Sequence, residues 1–194
     1  MVELERFIED RHSYPLVPQA DRWIFNKLSI AELQGLKCGV SGVPLTDPGV
    51  YCIRPIYSLG GNGDGGVMRW VFDGTEATQP PAIPGWFWCE WLTGWQEWVD
   101  FTDDVPVFSH GGTRNGRLLS LEFPSAPINT WIPNRLKGIS KHLLIEYIDG
   151  KIIEVAPRHA IFMYPHGTAD LKAVKWEDPY FGHETFFWKV VRKP

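Results

Sequence analysis

Five glycines (Gly60, Gly61, Gly63, Gly65 and Gly66) crowd one short stretch, and VMRWVF, residues 67–72, follows them directly. β-Branched and aromatic residues favour strands. GVYCIRPI (49–56), before the glycines, has the same character. The glycine run therefore joins two strands. That constraint disposes of the obvious motif reading. GNGDGG satisfies G-x-G-x-x-G literally, but a dinucleotide fingerprint needs a helix opening at its glycines so that the helix N-terminus faces the pyrophosphate. A Walker loop is excluded too, because no Gly-Lys-Ser/Thr closes the run. What remains is a glycine flap between two strands. Such a flap can offer backbone N–H groups to a phosphate chain without side-chain obstruction, or it can be a plain hairpin loop.

A chain of 194 residues makes one domain, or two small lobes sharing a core. Nineteen basic against 23 acidic side chains give a net charge of −4, so no global field attracts nucleic acid or an anionic membrane. No apolar run reaches the roughly 18–20 residues that span a bilayer, and MVELERFIED lacks the basic-then-apolar order of a signal peptide. Cys38, Cys52 and Cys89 are odd in number with no C-x-x-C, which points to free thiols in a reducing cytoplasm.

Residues 4–12 predict a short first helix, 13–20 a proline-bearing connector, and 24–36 a second helix broken by Gly39 and Gly42. WFWCEWL and WQEWVDF, separated by Thr93-Gly94, have the look of a hairpin, and residues 133–142 that of a helix. LLIEYIDGKIIEVAPR (143–158) is the clearest hairpin, with Asp149-Gly150 at its turn, and FFWKVV (186–191) is a last strand.

Taken in order, NKL at 26–28, GVP at 42–44, IRP at 53–55, the flap at 58–67, WCEWLTGWQEWVD at 88–100 and the acidic hairpin at 143–158 form a series. This series resembles the ATP-grasp family, and among its members the short ATP-grasp-like proteins of tailed bacteriophages, over residues 24 to 160. The resemblance implies an α+β fold of two lobes, each a small antiparallel sheet with helices. Its divisions would be an N-terminal helix and connector (1–22), a first lobe with the flap (23–88), a second lobe with the acidic hairpin (89–165) and a C-terminal extension (166–194). It implies ATP and Mg2+ as cofactors, and a small-molecule or peptide carboxylate as substrate, activated as an acylphosphate for attack by an amine or other nucleophile.

Carried over residue by residue, Lys27 and Arg54 would bind phosphate oxygens, and Gly61, Gly63 and Gly65 would close over the β- and γ-phosphates. The backbone of Glu90, Trp91 and Leu92 would meet adenine, with Glu97 or Asp100 at the ribose. Glu146 and Glu154 would be the metal carboxylates, oxygen ligands of the kind Mg2+ prefers. Arg158 would steady the transferred phosphate. Each has an ordinary alternative: Lys27 as exposed helix surface, Arg54 and Arg158 as strand-end surface residues, Glu146 and Glu154 as solvent-facing strand positions.

Register supplies a test. A strict two-residue turn at Asp149-Gly150 pairs Glu146 with Ile153 and sends Glu146 and Glu154 to opposite faces, because side chains alternate with period two. A bulged hairpin built on a three-residue loop puts both on one face, as a shared metal requires.

The chain also departs from the family pattern. Arg54 stands where the usual motif has Lys, Ala156 where it has Asn, and no separate acceptor-binding domain fits before Lys27. The alternative function is thus a non-catalytic ATP-grasp-like protein with an interaction role, partnered by phage proteins in the host cytoplasm or the virion. A third class is sugar binding by Trp86, Trp88, Trp91, Trp95 and Trp98. Strict alternation already sets Trp91 on the other face from Trp86 and Trp88. There is no G-x-S-x-G or H-E-x-x-H, and His110 and His183 read as incidental.

Overall fold

The computed structural model of the chain describes residues 10–59, 66–115, 118–122, 128–158, 169–177 and 184–192. The chain begins with a one-turn helix, α1 (Asp10–Ser13), then a 3₁₀ turn over Gln19–Phe25. The second helix, α2 (Lys27–Leu33), is shorter than the sequence predicts, for two local reasons. Asn26 is extended (φ −86°, ψ 101°) and its side chain accepts a hydrogen bond from the Ser29 N–H at 2.9 Å, so the helix starts there rather than at Ile24. At the other end Gly35 turns left-handed (φ 70°). The Leu36 N–H then reaches the Ala31 carbonyl and the Gly35 N–H the Glu32 carbonyl, a Schellman closure before Gly39 is reached.

The first sheet holds β1 (Cys38–Val40), β2 (Gly49–Pro55), β3 (Met68–Phe72) and β4 (Trp86–Glu90) in the order β1-β4-β2-β3. β2 and β3 run antiparallel, from Gly49 opposite Phe72 to Ile53 opposite Met68, as a flap between strands requires. Gly61, Gly63 and Gly65 lie outside the described residues, as do residues 4–9 of the expected first helix. The second sheet holds β5 (Trp95–Thr102), β6 (Val105–Asn115), β7 (Leu118–Glu122), β8 (His142–Ile148) and β9 (Lys151–Ala156) in the order β7-β6-β5-β8-β9. A separate antiparallel pair, β10 (Ala169–Glu177) and β11 (Glu184–Arg192), follows. Residues 134–136 form only a 3₁₀ turn where a helix was expected.

β4 and β5 do not form the expected hairpin. β4 sits between β1 and β2, and β5 between β6 and β8, so each has both hydrogen-bonding edges filled by other strands. The chain instead crosses from one sheet to the other at residues 91–94, where the Trp91 N–H bonds the Val50 carbonyl and Gly94 adopts φ 123°. The clustered tryptophans are thereby dispersed, Trp86 and Trp88 in the first sheet, Trp91 in the crossing, and Trp95 and Trp98 in the second sheet, each of them partly buried.

Helix α2 is the shared element. Ile30 joins Val17, Ile24 and Phe25 in packing on the inner face of the second sheet, against Val99, Phe101, Ile145 and Tyr147. Ala31 and Leu28 pack on the first sheet against Phe87 and Cys89. Gln34 fastens the join: its amide donates to the Ile152 carbonyl and accepts from the Ile152 N–H, both at 2.7 Å, completing the open edge of β9 as a neighbouring strand would. No helix among the described residues is long and apolar enough to cross a membrane.

Candidate functional site

Lys27 opens α2, its N–H bonded to the Ile56 carbonyl at 3.0 Å, which ties the helix start to the end of β2. Its ammonium meets Glu154 of β9 at 2.8 Å. Arg54, from the end of β2, donates to the Ile153 carbonyl at 2.8 Å with its guanidinium over the Phe87 ring, 5.4 Å from the centroid. Lys27 and Arg54 are each only 8% exposed, so neither is the surface residue of the ordinary reading. Arg158, just past β9, is also largely covered and donates through Nε to Asp10 Oδ1 at 2.8 Å. Four separated segments thus meet at one place. Asp10, Lys27 and Glu154 line a crevice of about 10 Å³, space for roughly one water. Ser58 and Leu59, at the foot of the flap, line it as well.

The acidic hairpin answers the register test in an unexpected way. Its turn is the strict two-residue one: Ile148 pairs with Lys151, and Asp149 (φ 48°) and Gly150 (φ 76°) are both left-handed. Yet Tyr147 pairs with Ile152 and Glu146 with Glu154, so a bulge at Ile153 shifts the register after the turn. The two carboxylates are direct partners on one face. Glu146 also accepts a hydrogen bond from Gln96 on β5. Ala156 is buried opposite Leu144 and adds no oxygen.

Other nominated residues are not gathered there. Glu97 is fully buried, its carboxylate accepting from the backbone N–H groups of Ile128 and Asn129 at 2.9 Å and from the Asn129 side chain. It clasps the approach to β8 and does not present itself to a ribose. Asp100, the other ribose candidate, is fully buried too. Glu90 accepts from the Lys37 N–H at 3.1 Å, Trp91 lies under Arg69 with 5.9 Å from the guanidinium to its ring, and Leu92 packs on the first core. All three belong to the end of β4 and the crossing. His110 stacks on Trp98 at 5.0 Å and is held neutral by burial, its pKa lowered to about 3.

Asp10 was not singled out from the sequence, where it is one acid among several in a short helix. It is 2% exposed and lies on the crevice. The two carboxylates of the cluster are tuned in opposite directions. Burial raises the Asp10 pKa and Glu154 adds to the rise, outweighing the opposing pull of Arg158 and Lys27. Burial would raise Glu154 too, but Lys27, with Arg54 and Arg158, outweighs it and holds that carboxyl below its ordinary value.

The consequences for stability have opposite signs. The Glu154 contribution is present above its unfolded pKa and is lost as pH falls through the lower folded value. Protonated Asp10 favours the fold, and that contribution is lost as pH rises through its elevated folded value. Glu154→Gln should therefore destabilise the protein at pH 7 by about 1–3 kcal/mol, with the difference from wild type shrinking as pH falls below the folded pKa. Asp10→Asn should be neutral or stabilising at pH 7. Urea melts of both variants at several pH values check the pair of signs.

No protein-family model matches the chain, and no curated protein matches it. Among solved structures it is similar to a crystal structure assigned to the ATP-grasp superfamily from Archaeoglobus fulgidus, with TM-score 0.53 and 12% identity over 93% of this chain and 72% of that one. It is also similar to the ATP-grasp ligase PsnB in complex with a minimal precursor, with TM-score 0.41 and 15% identity over 76% of this chain and 55% of that one. The first likeness shows that the fold is ATP-grasp-like, an α+β arrangement with small antiparallel sheets and few helices.

Proposed function

We propose that this protein is an ATP- and Mg2+-dependent carboxylate ligase-like enzyme. The observation that carries the reading is the convergence of Lys27 from the head of α2, Arg54 from the end of β2, and Glu154 and Arg158 from β9 and the residues just past it, with Glu146 directly opposite Glu154. The donor set suits the ligands. Lys27 and the two guanidiniums offer N–H donors to phosphate oxygens, and the buried Arg54 Nε–H has no acceptor among the described residues. Glu146 and Glu154 supply the one or two carboxylates with which proteins usually hold Mg2+ beside phosphates. Bound Mg2+ would offset the charge developing on the transferred phosphoryl group. The substrate carboxylate would displace ADP at the γ-phosphorus, and an amine or other nucleophile would then displace phosphate from the acyl carbon. Arg158 and Lys27 would hold the phosphoryl oxygens through both displacements. Titration calorimetry should detect Mg-ATP binding to the wild type and its loss in Glu154→Ala; a wild type that binds no nucleotide sinks the reading.

One observation favours the non-catalytic alternative. Lys27 and Glu154 satisfy each other, and Arg54 is engaged with β9, so the crevice is closed to about one water and a nucleotide must part these contacts. A purely structural role, for instance in a phage particle, predicts copurification with virions and no heat of binding from Mg-ATP.

A further inference from the structure

Cys38, Cys52 and Cys89 are far apart in sequence, but the first sheet sets them in a row. β4 lies between β1 and β2, and Cys89 is the direct partner of both Cys38 and Cys52. Directly opposed residues of antiparallel strands have Cα atoms about 4.5–5.5 Å apart, inside the roughly 4.4–6.8 Å that a disulfide spans. Direct partners also share a face. Here it is the face that α2 covers, since Cys89 clusters with Ala31 and Leu36, and Cys38 and Cys52 pack against that cluster. All three thiols are free. Arg54 stands two residues beyond Cys52 on the same strand.

We propose that Cys52 and Cys89 are a reversible oxidation site that closes to an intramolecular disulfide under hydrogen peroxide, with Cys38 as the exchanging thiol on the outer strand. Cys89, in the middle, can bond to either neighbour but not to both. The environment assigns the roles. The neighbouring Cys89 thiol lowers the Cys52 pKa to about 7, with Arg54 and Lys27 helping against burial, so Cys52 is the readier thiolate. Cys89 is pushed up by the neighbouring Cys52 and by burial, and Cys38 chiefly by burial.

The Cys52 thiolate attacks one peroxide oxygen and the O–O bond breaks. The departing hydroxide takes up a proton, leaving a sulfenic acid and one water. The Cys89 sulfur then attacks Cys52 Sγ, the S–O bond breaks, and a second water leaves with the Cys89 proton. Two thiols have lost two electrons and two protons, and one peroxide has become two waters. Attack of Cys38 on Cys89 Sγ would move the disulfide outward and return Cys52 as a thiol. Transient disulfides of this kind are compatible with a reducing compartment.

The test is peptide mapping of the full chain after hydrogen peroxide treatment and alkylation, without reductant. The expected product is a Cys52–Cys89 linked peptide pair, lighter by two hydrogens and reversed by dithiothreitol. Cys38→Ser should keep the link, whereas Cys89→Ser should abolish it and leave Cys52 as a sulfenic acid that dimedone traps. The proposal is overturned if Cys52 stays reduced while an exposed control thiol oxidises, if the links form between chains, or if Cys89 pairs with Cys38 alone. Mapping of the wild type decides the matter even where a serine variant folds poorly. The outcome does not depend on nucleotide binding.

Discussion

Lys27→Ala should weaken Mg-ATP binding, raising Kd by about 30-fold or more, which corresponds to at least about 2 kcal/mol. Lys27 is the cation at the head of α2 that meets the acidic hairpin, and its ammonium acts with the guanidiniums of Arg54 and Arg158 against the Glu154 carboxylate. Without it a phosphate chain loses a donor, and Glu154 keeps only the arginines as counter-charges. A second variant makes the expectation sharper. In Glu154→Gln the ammonium is released from its partner, so ATP without Mg2+ should bind as tightly as to wild type or more tightly. Mg-ATP should bind more weakly, because a metal carboxylate is gone. This inversion by metal is a signature that simple unfolding cannot produce. Calorimetry with and without Mg2+, on variants shown to be folded by circular dichroism, reads it directly. A Lys27→Ala protein that binds Mg-ATP within about a factor of two of wild type would remove Lys27 from the site.

Glu97→Ala should be among the most destabilising single substitutions and should leave nucleotide affinity unchanged in whatever protein remains folded. Its carboxylate is fully buried and takes three hydrogen bonds from Ile128 and Asn129. Truncation strips those three donors of their acceptor and empties the space of a fully buried side chain, at about 3–5 kcal/mol, or roughly 6–20 °C in Tm for a chain of this length. Glu97→Gln, which keeps one acceptor oxygen, should fall between. A Glu97 variant of near-normal Tm with weakened ATP binding would restore the ribose role that the family resemblance implied.

The legibility of this chain in its sequence divides along the range of the interactions. Asn26 and Gly35 bound α2 by bonds that reach no further than five residues, yet 24–36 reads as a continuous helix because its apolar positions belong to two different cores. Ile24 and Phe25 face the second sheet from a 3₁₀ turn, while Ala31 faces the first. The Trp-rich pair 86–90 and 95–102 has the composition of a hairpin. Nothing local records that both strands are central in separate sheets. Four of the gathered residues were nominated through an ordered series of short motifs. Asp10 escaped because its importance lies in a contact with Arg158, 148 residues away.

By itself, the sequence determined what depends on neighbours along the chain: strand, glycines and strand in that order, a turn at Asp149-Gly150, and a helix within residues 24–36. Alternation of side chains and left-handed turn residues are legible because they act within a few residues. The tertiary structure alone decided the pairings between distant segments. Ile153 bulges after an ordinary turn and so sets Glu154 opposite Glu146, and β4 runs between β1 and β2 and so puts three cysteines abreast. Backbone hydrogen bonds between strands are nearly indifferent to side-chain identity. Which strands meet, and in which register, is therefore settled by the packing of α2 and the two sheets together.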